Sequence, residues 1–305
     1  MFNLVQRRRA YFIFSGILIS LGIAAMIIST IRIGTPFLVG VDFQSGTRFE
    51  LQFEEPVSED ELRAVFNDFG VANPVVTSLQ GENLENAWQI RSEFMSPEEA
   101  TEIQQALSEQ VAPLDADATL VQTVSPSVGA EVTRAAFVAV LVAAIIVLGY
   151  IMFAFRQVPN PFRYGAAAVV AMVHDITITF GFISIAGLLF GWEVDALFLT
   201  AVLTVTGFSL QDTIVVFDRI RENISKRPLE DFEMLVNRSV LETIHRSLAT
   251  QLNAMFVMVA ILLFGGASIK HFIAVLLVGL LSGTYSSIFN ATPLLVTWEK
   301  RAMEA

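Results

Sequence analysis

The chain has 305 residues, of which 54% are hydrophobic and only 16% charged, and its mean hydropathy of +0.60 excludes an ordinary soluble domain of this size. Its formal net charge of -11 is unevenly spread, with the acids crowded into one segment. The absence of cysteine rules out disulfides, thiolate metal sites and cysteine nucleophiles, and leaves the redox compartment open. This is the composition of an integral membrane protein.

Gln6-Arg7-Arg8-Arg9 precedes an apolar run over residues 10–31. About 20 apolar residues cross a hydrocarbon core, whereas the core of a cleaved signal is about 7 to 15 residues long and is followed by a small-residue cleavage site. The run therefore reads as an uncleaved signal anchor, the first transmembrane helix, behind a basic cytoplasmic N-terminus at residues 1–9. Over residues 32–134 the hydropathy falls and acids such as Glu54, Glu55, Asp60, Glu98 and Glu102 gather, so a separate extracytoplasmic domain is expected. Thr47 to Phe53 alternates, with Phe49, Leu51 and Phe53 on one face. Ser58-Glu59-Asp60-Glu61 is a capping box that opens a helix carrying Leu62, Val65, Phe66 and Phe69, and Gly70 stops it. Pro74 to Leu79 and Trp88 to Ile90 read as short strands joined through Gly81-Glu82-Asn83. Ser96-Pro97-Glu98-Glu99 opens a second helix with Ile103, Leu107 and Val111, and Thr119 to Val124 is a last strand. Strand-helix-strand-strand-helix-strand is the order of a ferredoxin-like sandwich. No catalytic constellation shows within it.

Five more apolar runs follow, at residues 135–155, 164–190, 196–217, 247–264 and 272–298. Residues 135–298 are thus expected to hold transmembrane helices 2 to 6, with a cytoplasmic tail at 299–305. The fold class is an α-helical polytopic membrane protein of six transmembrane helices, surrounded by membrane lipid, with one α+β ferredoxin-like domain between helices 1 and 2. Arg156 and Arg163 follow the second run, Arg219, Arg221, Lys226, Arg227 and Arg238 the fourth, and Lys300 and Arg301 the sixth, while Gly191 to Asp195 contains no base. The positive-inside rule places both termini in the cytoplasm and the acidic domain outside. Topology explains these basic loops, so no nucleic-acid partner is expected.

The fourth run places Asp212 inside its hydrophobic part. Insertion scales put a helix-centre aspartate at about +2.5 to +3.5 kcal/mol, so the carboxylate should face protein or water. Asp212 precedes the interfacial Asp218 by six residues, and Arg246 lies a similar distance into the fifth run. At about 1.5 Å per residue both sit roughly 9 Å from the cytoplasmic end. A carboxylate and a guanidinium therefore share one depth on consecutive helices, where they are expected to pair directly or through water. Ser209 lies one turn before Asp212 and Thr213 beside it, hydroxyls able to hold water. Asp175, preceded by His174, lies nearer the middle of the third run. Plainer readings stand beside these: Arg246 snorkelling to headgroups, Asp212 in a structural ion pair, His174 and Asp175 as satisfied interior groups. The three histidines lack i, i+4 pairing with one another, so no metal site is expected.

A carboxylate that alternates between a fixed cation and water can take up and release a proton. Each proton moving down 100 mV supplies about 2.3 kcal/mol. Asp212 and Arg246 are accordingly the expected relay pair, with Asp175, Ser209 and Thr213 as secondary members.

Three motifs carry a resemblance to a known family. They are Gly40-Val41-Asp42-Phe43-Gln44-Ser45-Gly46-Thr47, the stretch from Gly207-Phe208-Ser209-Leu210-Gln211-Asp212-Thr213 through Asp218-Arg219-Ile220-Arg221-Glu222-Asn223, and Thr243-Ile244-His245-Arg246-Ser247. Gly265-Gly266 and Gly283-Thr284-Tyr285-Ser286-Ser287 add to it. The chain resembles the SecD/SecF family of protein-export membrane proteins in the RND superfamily, and in layout the smaller member of that pair. It departs from the family pattern at Ser45-Gly46, where Gly-Gly is usual, at Phe208 for a common Tyr, and at Gln211 for a common Asn. The resemblance implies half of an RND-type transporter that pairs with a SecD-like subunit, associates with the SecY channel complex, and uses the proton-motive force to draw a translocating preprotein across the bacterial cytoplasmic membrane. It also implies Asp212 as the proton-carrying acid and Arg246 as its cationic partner. No cofactor is expected; protons are the coupling ion, with sodium left open. Two other readings are a passive helix-clasp scaffold of a translocase and an RND-type small-molecule or lipid transporter. An enzyme is not expected, since the sequence lacks a phosphate-cradling loop, a metal-ligand cluster and a nucleophile with a matching base.

Overall fold

The computed structural model describes residues 3–72, 74–79, 86–116 and 118–304. The chain divides into two compact units, Val39–Phe137, and Met1–Leu38 together with Val138–Ala305. It begins with α1 (Arg8–Ile33), which Gly34 ends in the left-handed conformation at φ 89°.

The first unit is an α+β sandwich. One helical turn, α2 (Val41–Gln44), leads through Ser45 into β1 (Gly46–Gln52). Gly46 has φ 133°, and a Cβ there would lie 2.6 Å from the Ser92 carbonyl oxygen, so only glycine fits. Ser45 itself has φ 66° and ψ 162°, a region occupied almost solely by glycine. After β1 come α3 (Glu59–Asp68), β2 (Val75–Leu79), β3 (Ala87–Ser92), α4 (Pro97–Gln110) and β4 (Leu120–Val124). The strands pair antiparallel in the order β2-β3-β1-β4, with Phe49 opposite Ile90 on one side and Val121 on the other. That is the ferredoxin-like order expected from the sequence.

Both helices open with complete capping boxes, Ser58 with Glu61 and Ser96 with Glu99. The backbone N–H of each serine, and then its hydroxyl, donates to the glutamate and holds that carboxyl below its ordinary range. Phe49, Leu51 and Phe53 alternate into a core with Leu62, Val65, Phe66, Ile103 and Leu107, and the Phe49 and Phe66 rings meet edge to face at 5.1 Å. Phe69 departs from expectation: it caps the end of α3, where the helical stripe has run out, and is 43% exposed. The expected turn at Gly81-Glu82-Asn83 lies outside the described residues.

The second unit is helical. It joins α1 to the part of α5 (Pro126–Ala154) from Val138 onward, and to α6 (Pro161–Phe190), α7 (Ala196–Lys226), α8 (Phe232–Phe264), α9 (Ala267–Ser286) and α10 (Thr292–Glu304). A π-helical turn, Ser287–Ala291, makes α9 and α10 one continuous run. Among the described residues six helices are long and apolar enough to cross a membrane. The chain is a multi-pass membrane protein.

α7 packs on α9, α1 on α6, and α8 on both α7 and α9. Glycine permits the closest of these approaches. A Cβ at Gly181 in α6 would stand 2.6 Å from the Gly22 Cα in α1, and one at Gly283 in α9 would stand 2.9 Å from the Ser209 Cβ in α7. At one end Phe155, Tyr164 and Phe217 stack and cross at 5.4 to 6.3 Å amid Val216, Ile220, Leu235, Val236 and Leu295. There Glu233, at the start of α8, accepts from Arg8 at 3.1 Å and pairs with Lys300 at 2.6 Å, tying both ends of the chain to the bundle.

Candidate functional site

Among the described residues two aspartates are buried in the helical unit, Asp175 and Asp212, and their surroundings differ. Asp212 in α7 is 3% exposed. Gln251 Nε2, from α8, donates to its Oδ2 at 2.6 Å. The amide reaches α7 because the buried stripe of α8 runs through Val236, Val240, Thr243, Ser247 and Gln251, spaced three and four residues apart. Among the described residues Gln251 Oε1 has no hydrogen-bond partner, although it is buried. Gln251 also lines a groove of about 280 Å³ between α8 and α9, whose other walls include Leu248, Met255, Leu281 and Tyr285. The carboxylate is thus one hydrogen bond from an unfilled acceptor at an apolar recess.

The expected Asp212–Arg246 pair does not form. Arg246 is exposed, and among the described residues it makes no ion pair with Asp212. The physical reason is azimuth and register: Arg246 lies about 100° around α8 from Ser247 in the buried stripe, and Gln251, which meets the acid, lies five residues or about 7.5 Å further along the helix. A neutral amide takes the place foreseen for the guanidinium.

Asp175 in α6, expected as a secondary member, is fully buried. Its Oδ1 accepts from Ser282 Oγ at 2.6 Å and lies 2.9 Å from His174 Nδ1. Its Oδ2 accepts from Ser209 Oγ at 2.6 Å and Ser286 Oγ at 2.7 Å. Ser209, expected to serve Asp212, therefore bonds to Asp175 instead, although it stands one turn from Asp212 on α7. Thr213 Oγ1 lies 3.1 Å from the Ser209 carbonyl oxygen and 2.9 Å from Ser287 Oγ, and Ser287 Oγ donates to the same carbonyl at 2.9 Å. His174 Nε2 is 3.1 Å from Ser15 Oγ in α1, to which Asn290 Nδ2 donates at 2.8 Å. The polar network thus spans α1, α6, α7 and α9 and includes the π-helical turn. Such turns recur where a helix carries function.

The sequence reading did not reach Gln251, Ser15, Ser282 or Asn290. Their signal was polar or small residues recurring at helical spacing in otherwise apolar runs: Thr243, Ser247 and Gln251 in α8, Ser282 and Ser286 in α9, and Ser15, Gly22 and Ser29 in α1. Among the described residues no group of His, Cys, Asp and Glu is arranged to hold a metal.

Comparison with known proteins fits this layout. Residues 103–301 match the family described as Protein export membrane protein SecD/SecF, C-terminal, and residues 40–57 match the SecD/SecF GG Motif. The protein translocase subunit SecF of Thermobaculum terrenum is 41% identical over 99% of this chain and 95% of that protein. The SecDF subunit of Bacillus subtilis is 32% identical over 99% of this chain, which spans 39% of the longer protein. The crystal structure of SecDF from Thermus thermophilus, a translocon-associated membrane protein, superposes with a TM-score of 0.82 at 29% identity, over 98% of this chain and 39% of that one. With six apolar helices, a ferredoxin-like domain behind the first, and these relatives along nearly its whole length, the chain belongs to the SecD/SecF family of protein-export membrane proteins.

Proposed function

We propose that this translocase subunit, set beside a SecD-like subunit in the bacterial cytoplasmic membrane, uses the inward flow of protons to promote preprotein export, with Asp212 as the proton-carrying group. The observation that carries the reading is a carboxylate buried within an apolar helix and held by a neutral amide. Burial in a low-dielectric site penalises the anion and a neutral amide donor offsets only part of that penalty, whereas a guanidinium would offset far more. Arg246 lies five residues before Gln251, about 140° around α8 and about 7.5 Å along it, so rotation and sliding of α8 together would exchange the amide for the guanidinium. Alternation between these partners is the step that would load and discharge the proton. The SecDF relatives, in which SecD-type and SecF-type parts form one chain, support the pairing. The basic loops support cytoplasmic termini, and the SecY channel and a translocating preprotein are the remaining partners.

Asp212→Asn tests this directly, because its side-chain oxygen still accepts from Gln251. The complex is expected to assemble while export driven by an imposed pH gradient in vesicles falls about a hundredfold or more, the contribution of one positioned acid–base group. Unchanged export would sink the relay. The clasp reading draws on the same Gln251 bond across α7 and α8, and it predicts that very result. Running the assay with a sodium gradient in place of the pH gradient separates the two ions.

A further inference from the structure

We propose that His174 and Asp175 form a second proton-binding couple, linked to the Asp212 site through Ser209, in which the imidazole takes up and returns the proton. The proposal rests on the proton-coupled reading of export but concerns a different pair of groups.

The hydrogen-bond count leads to it. An ionised carboxylate has about four acceptor positions, and a protonated one gives up acceptor capacity to carry its own hydrogen. Asp175 meets four neighbours: three serine hydroxyls that donate to it, and His174 Nδ1 at 2.9 Å. That set suits an anion, with the Nδ1 hydrogen of His174 directed at it. A lone anion this deep in an apolar helix is costly. Among the described residues the one cation-forming group paired with Asp175 is His174, 7% exposed. A proton on the imidazole would neutralise the couple.

The far side of the ring is built for that change. His174 Nε2 lies 3.1 Å from Ser15 Oγ, which is itself 3.1 Å from Asn290 Oδ1 and accepts from Asn290 Nδ2 at 2.8 Å. With a neutral ring, the Ser15 hydroxyl donates to Nε2. When a proton arrives on Nε2, the new N–H donates to Ser15 Oγ and the hydroxyl swings to Asn290 Oδ1. One proton is gained, one hydroxyl rotates, and the reverse returns it. Every other partner is kept.

The groups facing the couple are few. Tyr285 from α9 lies with its ring 6.4 Å from the imidazole and its hydroxyl on the Tyr11 carbonyl of α1. From α7, Asp212 lies one turn beyond Ser209. At the start of α6, Arg163 is engaged by Glu299 of α10. Ser209 is the link: its hydroxyl holds Asp175, while its backbone carbonyl accepts from Thr213, the residue after Asp212 in the chain, and from Ser287.

His174→Gln tests the couple in the complete membrane complex, since the amide retains a donor and an acceptor but has no titration between pH 5 and 8. Assembly is expected to be unchanged, while proton-driven export falls about a hundredfold and loses its pH dependence across that range. Parental export with the parental pH profile would overturn the proposal. If Asp212→Asn is inactive in the same assay, the Asp212 reading survives; if that variant is normal too, both fall. Should His174→Gln fail to assemble, nitrogen-15 resonances of His174 in the unaltered protein decide. A titration between pH 5 and 8 supports the couple, and a ring fixed in one state across that range overturns it.

Discussion

The sheet domain and the helical bundle are held together in different ways. In the sheet domain, Phe49, Leu51, Phe53, Leu62, Phe66, Ile103 and Leu107 leave water for one shared core, and burial of large apolar side chains drives the packing. In the bundle, lipid tails are as apolar as leucine, so moving a leucine from lipid to protein contributes little. The middle of the bundle accordingly buries Gly22 against Gly181, Gly283 against Ser209, and a lattice of serines around Asp175. Close backbone approach and interhelical hydrogen bonds replace bulk. One chain thus follows two packing rules, and the solvent outside each unit decides which.

The comparison can be broken at three points. Phe66→Ala should cost the sheet domain about 3–5 kcal/mol, read as lost amide protection confined to residues of that domain in the intact protein. Protection lost equally in the bundle would mean that the two units share one cooperative core. Gly181→Ala should cost about 1–3 kcal/mol, although it adds one methyl group, because the backbone of Gly22 fills the space. The readout is the melting temperature in detergent, and an unchanged value would show that α1 and α6 can part cheaply. Ser45→Gly should do the opposite and stabilise the sheet domain by about 1 kcal/mol, by relieving a side chain held at φ 66°. No gain in its protection would mean that the strain is offset by contacts of the serine.

Much of the fold was legible because the two periods of side-chain direction separate cleanly here. Phe49, Leu51 and Phe53 alternate, Leu62, Val65 and Phe66 recur at helical spacing, and the capping serines mark both helix starts. The six apolar runs needed only length and hydropathy. The site was legible in part. Asp212 and Asp175 stand out as acids in apolar runs, and the cost of such groups makes them conspicuous. Their partners were harder to find. Counting from the helix ends placed Arg246 level with Asp212, but the packed register and rotation of α8 bring Gln251, about 7.5 Å further along, to face it. Ser209 is one turn from Asp212 yet bonds across to α6, because the close approach at Gly283 sets which neighbour it meets. A residue's own helix can be read from one sequence; the helix opposite comes from packing.

The π-helical turn at Ser287–Ala291 carries one surplus residue in what is otherwise a single helix. It sets the phase between Ser282 and Ser286, which address Asp175, and Leu295 and Val296, which fill the aromatic end of the bundle. A chain one residue shorter there would close an ordinary turn with both halves of the helix still in phase, whereas the same deletion in the regular turns on either side would carry everything beyond it round by about 100°. The widened turn is thus the place in the last helix where a residue can be lost while Leu295 and Val296 keep their neighbours.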